Sequence, residues 1–416
     1  MKSPLALTIL ILMFFTHPVA YACTAFMAAD SNRVLVGNNE DNKFHHTRMW
    51  FIPGKSGQYG RVIFGYDNWM PQGGMNDQGL FIDGFATPTL ETKPSKQKLI
   101  FRENFLDKFL AECSSVEEVI ELTNKYNFEF MLEFQLLIVD KTGNSAIIER
   151  DQIIRKKKSY QVVTNFYQSK VAYKDYPCEW YKGGCLRYQI AEKMLKNDRS
   201  VSIEHFRNIL EATHQNTLGV RTLYSNIYDL KNGLIYLYYL HNFDNEIIID
   251  LNKELKKGNH HYELPSLFGK TASYERKEYV HRSPAFRVSY PKHYKIVKPE
   301  LNEVFRARHP AGFLILSVSI DDKPHNIPLK DIGEKFYLPE FKKVDTEAKI
   351  STNIQSKLHD GTPANEAQFD WLTSENWPIK TLILSTYRDD KLIYTAVHST
   401  ADPSFLREYL YSLQFD

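Results

Sequence analysis

Ala20-Tyr21-Ala22-Cys23-Thr24-Ala25-Phe26 is the stretch on which the reading of this chain turns. Ala20-x-Ala22 has the small-x-small form that signal peptidase reads. Leu5 to Phe15 ahead of it is almost unbroken apolar sequence, and Lys2 supplies a positive n-region. That run is well short of the about 20 residues needed to span a bilayer, and no later segment is long enough either. The expectation is a leader over residues 1–22, export to the periplasm or the extracellular space, no integral membrane segment in the mature form, and a mature chain that starts at Cys23. A lipid-modified cysteine is the competing meaning of a cysteine after an apolar leader. Tyr21 is an awkward neighbour for that signal, which makes the lipoprotein the weaker reading.

A cysteine at the first position carries a nucleophile and a base on one residue. An ordinary thiol titrates near about 8.5 and an α-amine near about 7.7–8.0, so the amine, directly or through a water, can take the thiol proton near neutral pH. The thiolate then attacks an amide carbonyl, the amine leaves, and water releases the acyl group from sulfur. Such a site needs N–H donors for the oxyanion and a carboxylate to hold the charged amine.

The bulk composition is that of a globular protein. The 416 residues are 43% hydrophobic, enough for two domains, and the formal net charge of +2 gives no reason to expect nucleic acid as a partner. The basic run Arg155, Lys156, Lys157, Lys158 reads as solvated surface. Of the four cysteines, Cys113 reads as core, and Cys178 and Cys185 either close a small disulfide loop or stay as two thiols. The pairs His45-His46 and His260-His261 invite a metal reading, but neighbouring histidines rarely chelate one ion together and no H-E-x-x-H or C-x-x-C spacing accompanies them. Gly73-Gly74 is followed by no Lys-Ser/Thr, so a phosphate loop is not expected. Neither a cofactor nor a metal is called for.

Along the chain, short strand-like runs alternate with amphipathic helices. Cys23 to Ala29 reads as a strand, Asp30-Ser31-Asn32 as a turn into Arg33 to Gly37, and Leu80 to Ala86 as a strand entered through Asn76-Asp77-Gln78-Gly79. Leu136 to Val139 and Ala146 to Glu149 form a hairpin; Tyr160 to Thr164 and Leu234 to Leu240 are further strands. Ser115 with Glu118 opens a helix as a capping box, and Leu186 to Leu195 and Ile203 to Ala212 have helical apolar spacing. Tyr274 to Ser283 is charged and non-periodic, a linker. Beyond it Phe286 to Tyr290, Phe313 to Ile320, Lys380 to Tyr387 and Lys391 to His398 read as strands and Pro403 to Leu413 as a closing helix. The fold class is α+β.

Several of these segments together resemble the choloylglycine hydrolase and penicillin V acylase family of linear-amide hydrolases, which are N-terminal-nucleophile (Ntn) enzymes. Cys23-Thr24-Ala25-Phe26 and Gly37-Asn38-Asn39-Glu40-Asp41-Asn42 are similar to the family's nucleophile strand and G-R-N-x-D return strand. Gly74-Met75-Asn76-Asp77-Gln78-Gly79-Leu80 is similar to its G-M-N-E-K-G-L turn, Val163-Thr164-Asn165-Phe166 to its T-N element, and Arg187-Tyr188 to its R-[FY] helix start. Tyr224-Ser225-Asn226-Ile227-Tyr228-Asp229-Leu230 with Ile235-Tyr236-Leu237-Tyr238 resembles its late hairpin. The pieces occur in the family's order over residues 23–265.

The resemblance implies a four-layer αββα sandwich over residues 23–273, a linker over 274–284, and a smaller α/β accessory domain over 285–416. In that last part Asp360 to Glu366, Trp371 and Tyr409 to Phe415 are similar to PsbP/Mog1-like modules. By position it assigns Cys23 as nucleophile and base, Asp41 as the acid that orients the α-amine, Asn165 as an oxyanion donor and, by a looser match, Arg221 as an arginine near the thiol, with a surface place or a role on a substrate carboxylate as the alternatives for Arg221. Asn76 would shape the turn into Leu80. Ala86 stands where bile salt hydrolases show Asn, so only its backbone N–H can face the oxyanion, which argues against bile salts as substrate. Asn38 stands where the family often has Arg. The implied activity is hydrolysis of a small-molecule N-acyl amide through a Cys23 thioester. The alternatives are acyl transfer from the same thioester, or a non-catalytic lipid-anchored or binding protein on the same fold. The acyl group, the amine and the oligomeric state are not readable.

Overall fold

The computed structural model describes residues 23–43, 46–88, 97–127, 133–149, 152–169, 182–217, 219–270, 275–310, 312, 314–374 and 376–415. The expected leader and Cys178 lie outside the described residues.

Strands β1 (Thr24–Ala29) and β2 (Val34–Asn42) form an antiparallel pair in which Thr24 faces Asn39 and Phe26 faces Gly37. Residue alternation sends Ala25 and Met27 to one face and Phe26 and Ala28 to the other. Gly37 is required by that crossing, because a Cβ there would meet the Phe26 ring at 2.5 Å. On the other side of β2 runs the strand Arg221–Asp229, so β2 is central in a six-stranded sheet. The second sheet contains β3 (Thr47–Ile52), β4 (Arg61–Tyr66), β5 (Pro71–Asn76) and β6 (Leu80–Ala86), extended by Phe134–Asp140, Ser145–Ile148 and Ile153–Arg155 on one side and His260–Glu263 on the other.

Helices α1 (Phe105–Glu112) and α2 (Val116–Lys125) bury Leu106, Phe109 and Val119 against Ile63, Ile82 and Ile138 of the second sheet. Helices α3 (Lys182–Asn197) and α4 (Ile203–Thr213) bury Ala191, Phe206 and Ile209 against Phe26, Leu35 and Ile227 of the first. The facing sides of the two sheets share Ala25, Val36, Phe64, Phe81, Leu137 and Tyr228. Asn104, Ser115 and Ser202 cap α1, α2 and α4 by accepting a backbone N–H. Glu118 reaches Ser114 rather than Ser115, so the expected capping box is half made. Asn76 does shape the turn into Leu80. Its Oδ1 accepts the N–H of Gln78 and of Leu80, while Nδ2 donates to the carbonyls of Leu110 and Cys113 at the end of α1.

Three expectations change. The strand read from the local pattern as Arg33 to Gly37 does not stop at Gly37, as the return strand implied by the resemblance also does not. It runs on through Asn38, Asn39, Glu40, Asp41 and Asn42, all buried. This polar run stays extended because partners distant in sequence satisfy it: Asn39 bonds the Leu210 carbonyl, Thr213 and Ser225. The charged stretch expected as a linker contains the strand Arg276–Arg282, paired with Ala285–Pro291. Tyr279 and His281 alternate onto one face against Phe286, a period-2 signal hidden among exposed charges. The closing helix is broken into the short turns Pro403–Leu406 and Arg407–Leu410, with Gln414–Phe415 returning as a strand.

Past Arg276 a seven-stranded sheet runs in the order 295–296, 303–308, 314–322, 391–399, 378–388, 363–372 and 349–357. Among the described residues no helix is long and apolar enough to cross a membrane. The C-terminal part is fastened to the turn between β4 and β5. Asp67 is buried with one carboxylate oxygen 2.8 Å from His309 Nε2 and the other 2.8 Å from His293 Nε2. Burial pushes its carboxyl up, but the two imidazoles hold it well below the usual range. Trp69 stacks on Phe405 at 4.1 Å beside it. Removing the carboxylate strands both imidazoles, so Asp67→Ala is expected to cost about 3–5 kcal/mol in chemical unfolding. A loss below about 1 kcal/mol, the scale of an exposed pair, contradicts this clamp.

Candidate active site

Cys23 precedes β1 and lies one step beyond the Thr24–Asn39 pairing, which sets it across from Glu40 on the face between the sheets. Its Sγ is 3.5 Å from Glu40 Oε2. Glu40 Oε1 accepts the Tyr66 hydroxyl at 2.7 Å, and Tyr66 in turn accepts from Asn42 Nδ2 at 2.5 Å. Burial pushes the Cys23 thiol up; the charges of Glu40, Asp41 and Asp83 add to this, and the Asp41 backbone N–H, directed at the sulfur, opposes it. A thiol so placed stays protonated until a base takes its proton.

Asp41 is buried and accepts from Thr222 Oγ1 at 2.5 Å and Gln215 Nε2 at 2.6 Å. Burial raises its carboxyl to about 6, against the pull of the Arg187 guanidinium and those two donors. Glu40 is raised to about 7, first by burial, with the Tyr66 hydroxyl opposing and the Asp41 charge adding. Asp83, on the inner face of β6, is pushed well up by burial and by Glu40, with the Gly84 N–H and Asn38 opposing. Gly73 makes room for it: a Cβ there would fall 2.4 Å from Asp83 Oδ2.

Raised carboxyls stabilise the fold below their unfolded values and lose that contribution as pH climbs through the folded ones. Glu40 therefore weakens the fold between about pH 4.5, where an unfolded glutamate titrates, and about 7. Melting temperatures of Glu40→Gln relative to the parent chain are expected to rise across that window. A constant offset would show that Glu40 does not titrate there.

Asn165 follows the strand Tyr160–Val163 and donates from Nδ2 to the Ala86 carbonyl at 2.9 Å, which brings these two expected site residues together. Thr87 N–H donates to Glu133, so the alternation of the ladder turns the Ala86 N–H toward the opposite edge of β6. Asn165 Oδ1 accepts from Arg187 Nη2 at 2.9 Å, and Arg187 Nε donates to Thr24 Oγ1 at 2.7 Å. Arg187 is buried in α3. Burial lowers its guanidinium, while Asp41 and the Cys23 sulfur oppose that.

Arg221 is placed otherwise than expected. It is exposed at the head of its strand, and its charge acts on Tyr239 and His241. A β-bulge between Thr222 and Tyr224 shifts the register of its strand just beyond it. The buried cation beside the thiol is Arg187, whose sequence signal was the Arg-Tyr helix start. Glu40, Tyr66 and Asp83 were also missed. Glu40 sat without an assigned role in the polar run Asn38 to Asn42, Asp83 comes from a strand of the other sheet, and Tyr66 ends another.

The histidine pairs have structural contacts: His260 lies 2.9 Å from Glu254 Oε2, and His46 stacks on His293. The grouping of possible metal ligands among the described residues is Asp67, His293 and His309, drawn from three separate segments.

The model of the acyl-coenzyme A:6-aminopenicillanic acid acyl-transferase family matches residues 28–245, more than half of the chain, beginning just after Cys23. A search of curated protein sequences finds no match. Similar solved structures include penicillin V acylase from Agrobacterium tumefaciens (19% identity, 58% of this chain and 92% of that one, TM-score 0.47). Conjugated bile acid hydrolase from Clostridium perfringens is another (20%, 58% and 97%, TM-score 0.46). Cyanobacterial PsbP from Synechocystis is a third (15%, 35% and 95%, TM-score 0.30). At these scores none of the three bears on the assignment, which rests on the family match. With that match running from the end of β1 into the strand Asn242–Asp250, the chain belongs to the acyl-coenzyme A:6-aminopenicillanic acid acyl-transferase family.

Proposed function

We propose that this chain is an exported cysteine amidase that cleaves a small-molecule N-acyl amide through a Cys23 thioester. Removal of residues 1–22 frees the α-amine, and Asp41 holds it. The sulfur attacks the carbonyl carbon, the oxyanion forms between the Asn165 amide and the Ala86 N–H, the C–N bond breaks, and water hydrolyses the thioester. Each oxyanion donor contributes about 2.7–4 kcal/mol in a well-made hole. The observation that carries this reading is the convergence of Asp41, Asn165 and Arg187 around the inward-facing thiol of Cys23. The reading places the catalytic unit at 23–273, as a four-layer αββα sandwich. It makes 285–416 an accessory module of PsbP/Mog1-like type.

Acyl transfer is the second reading, favoured by the acyl-transferase activity for which the family is named. A panel of N-acyl amides assayed for amine release, with and without a competing amine acceptor, separates the two. Release without acceptor supports hydrolysis, acylated acceptor at the expense of free acid supports transfer, and neither product across the panel contradicts both.

A further inference from the structure

Glu40 is a carboxyl with an unusual placement. It is buried between the two sheets, and its hydrogen-bond partners among the described residues are the Cys23 thiol and the Tyr66 hydroxyl. No cation among the described residues bonds it; Arg187, whose charge acts on Asp41 and Cys23, is committed to Thr24 and Asn165. An unpaired buried carboxyl opposes folding, which makes a purely architectural role a poor account of it. Its two oxygens are also divided between distinct tasks. Oε1 is fixed by Tyr66, which Asn42 fixes in turn, and this aims Oε2 at the sulfur across the β1–β2 pair. The charged and titratable groups facing it are Cys23, Asp41, Asp83, Tyr66, Tyr224 and Tyr228.

We propose that Glu40 is a catalytic residue, the side-chain base that takes the Cys23 thiol proton as sulfur attacks and returns it to the leaving amine. The step balances within the site. The S–H proton moves to Oε2 while the S–C bond forms and the carbonyl electrons move to oxygen. Collapse of the tetrahedral intermediate breaks the C–N bond, and the proton on Oε2 passes to the departing nitrogen. A carboxyl titrating near neutrality suits both halves of that transfer. The inference rests on the proposed Cys23 chemistry and goes beyond it, since the base is then a side chain present whether or not the α-amine is free.

The test measures two rates in Glu40→Gln: amide turnover, and alkylation of Cys23 by iodoacetamide at pH 7, followed by peptide mass mapping. A base that draws the thiol proton serves both attacks, so alkylation is expected to slow and turnover to fall about 10²-fold or more, the scale of a lost general base. The thermal midpoint is measured beside the two rates, since a misfolded site would lower it as well. Glu40→Asp, which keeps the carboxylate, is expected to recover part of both rates. Turnover in Glu40→Gln within threefold of the parent chain, or alkylation no slower than the parent's, overturns the assignment. Should Cys23→Ala still turn over amide, the Cys23 chemistry itself fails, and the alkylation rates alone still report whether Glu40 acts on the thiol.

Discussion

Cys23→Ala is expected to lower amide turnover by at least about 10⁴-fold, the scale seen when an activated nucleophile is removed. No other described group can stand in for it. Asp41, Glu40 and Asp83 are held by hydrogen bonds, and the other described cysteines, Cys113 and Cys185, belong to the helix-side parts of the two layers. Folding should survive the change. Cys23 lies ahead of β1 and the β1–β2 ladder is formed by backbone groups from Thr24 onward, so the loss is one sulfur from a small buried space. The checks are turnover with the best amide of the panel and the thermal midpoint of the variant. Cys23→Ser is expected to be nearly as inactive, because burial among carboxylates makes a hydroxyl far harder to deprotonate than a thiol.

The second large effect separates two arginines. Arg187 fixes Thr24, next to the nucleophile, and Asn165, the proposed oxyanion donor, with two hydrogen bonds of one guanidinium. Arg187→Met releases both, and turnover is expected to drop by about 10²–10³, the effect of a displaced oxyanion donor. Arg187→Lys keeps the charge but cannot bond both partners with one planar group, so it should recover only part of the loss. Arg221 is exposed, and Arg221→Ala is expected to change turnover by about twofold or less. Comparing kcat and KM of the three variants decides it. If Arg221→Ala were the crippled variant and Arg187→Met the healthy one, the site would be centred elsewhere than on Asn165 and Thr24.

The part of the fold that could be read ahead of the structure is the part held by local chemistry. The hairpin around Gly143, the caps Ser115 and Ser202, and the Asn76 turn all use partners within a few residues or a positive-φ glycine. Candidates for the site could be named only where a motif places a residue by position, as for Cys23, Asp41 and Asn165. It was unreadable where tertiary partners override local preference. Asn38 to Asn42 carry no apolar alternation of their own, yet they stay extended because α4, the strand Arg221–Asp229 and Tyr66 satisfy their side chains. Arg187 is marked in the sequence only as a helix start, until α3 brings its guanidinium to Thr24 and Asn165. Asp67, His293 and His309 are scattered over 243 positions and meet only once the C-terminal part docks, whereas the conspicuous histidine pairs do not form that group.

The most direct measurement is peptide mass mapping of the working protein after acid quench during turnover of an amide. The account predicts that the N-terminal peptide begins at Cys23 and carries the substrate's acyl mass on that residue, removable by hydroxylamine. An acyl group on any other residue, or a fully active chain whose first residue is not Cys23, contradicts it.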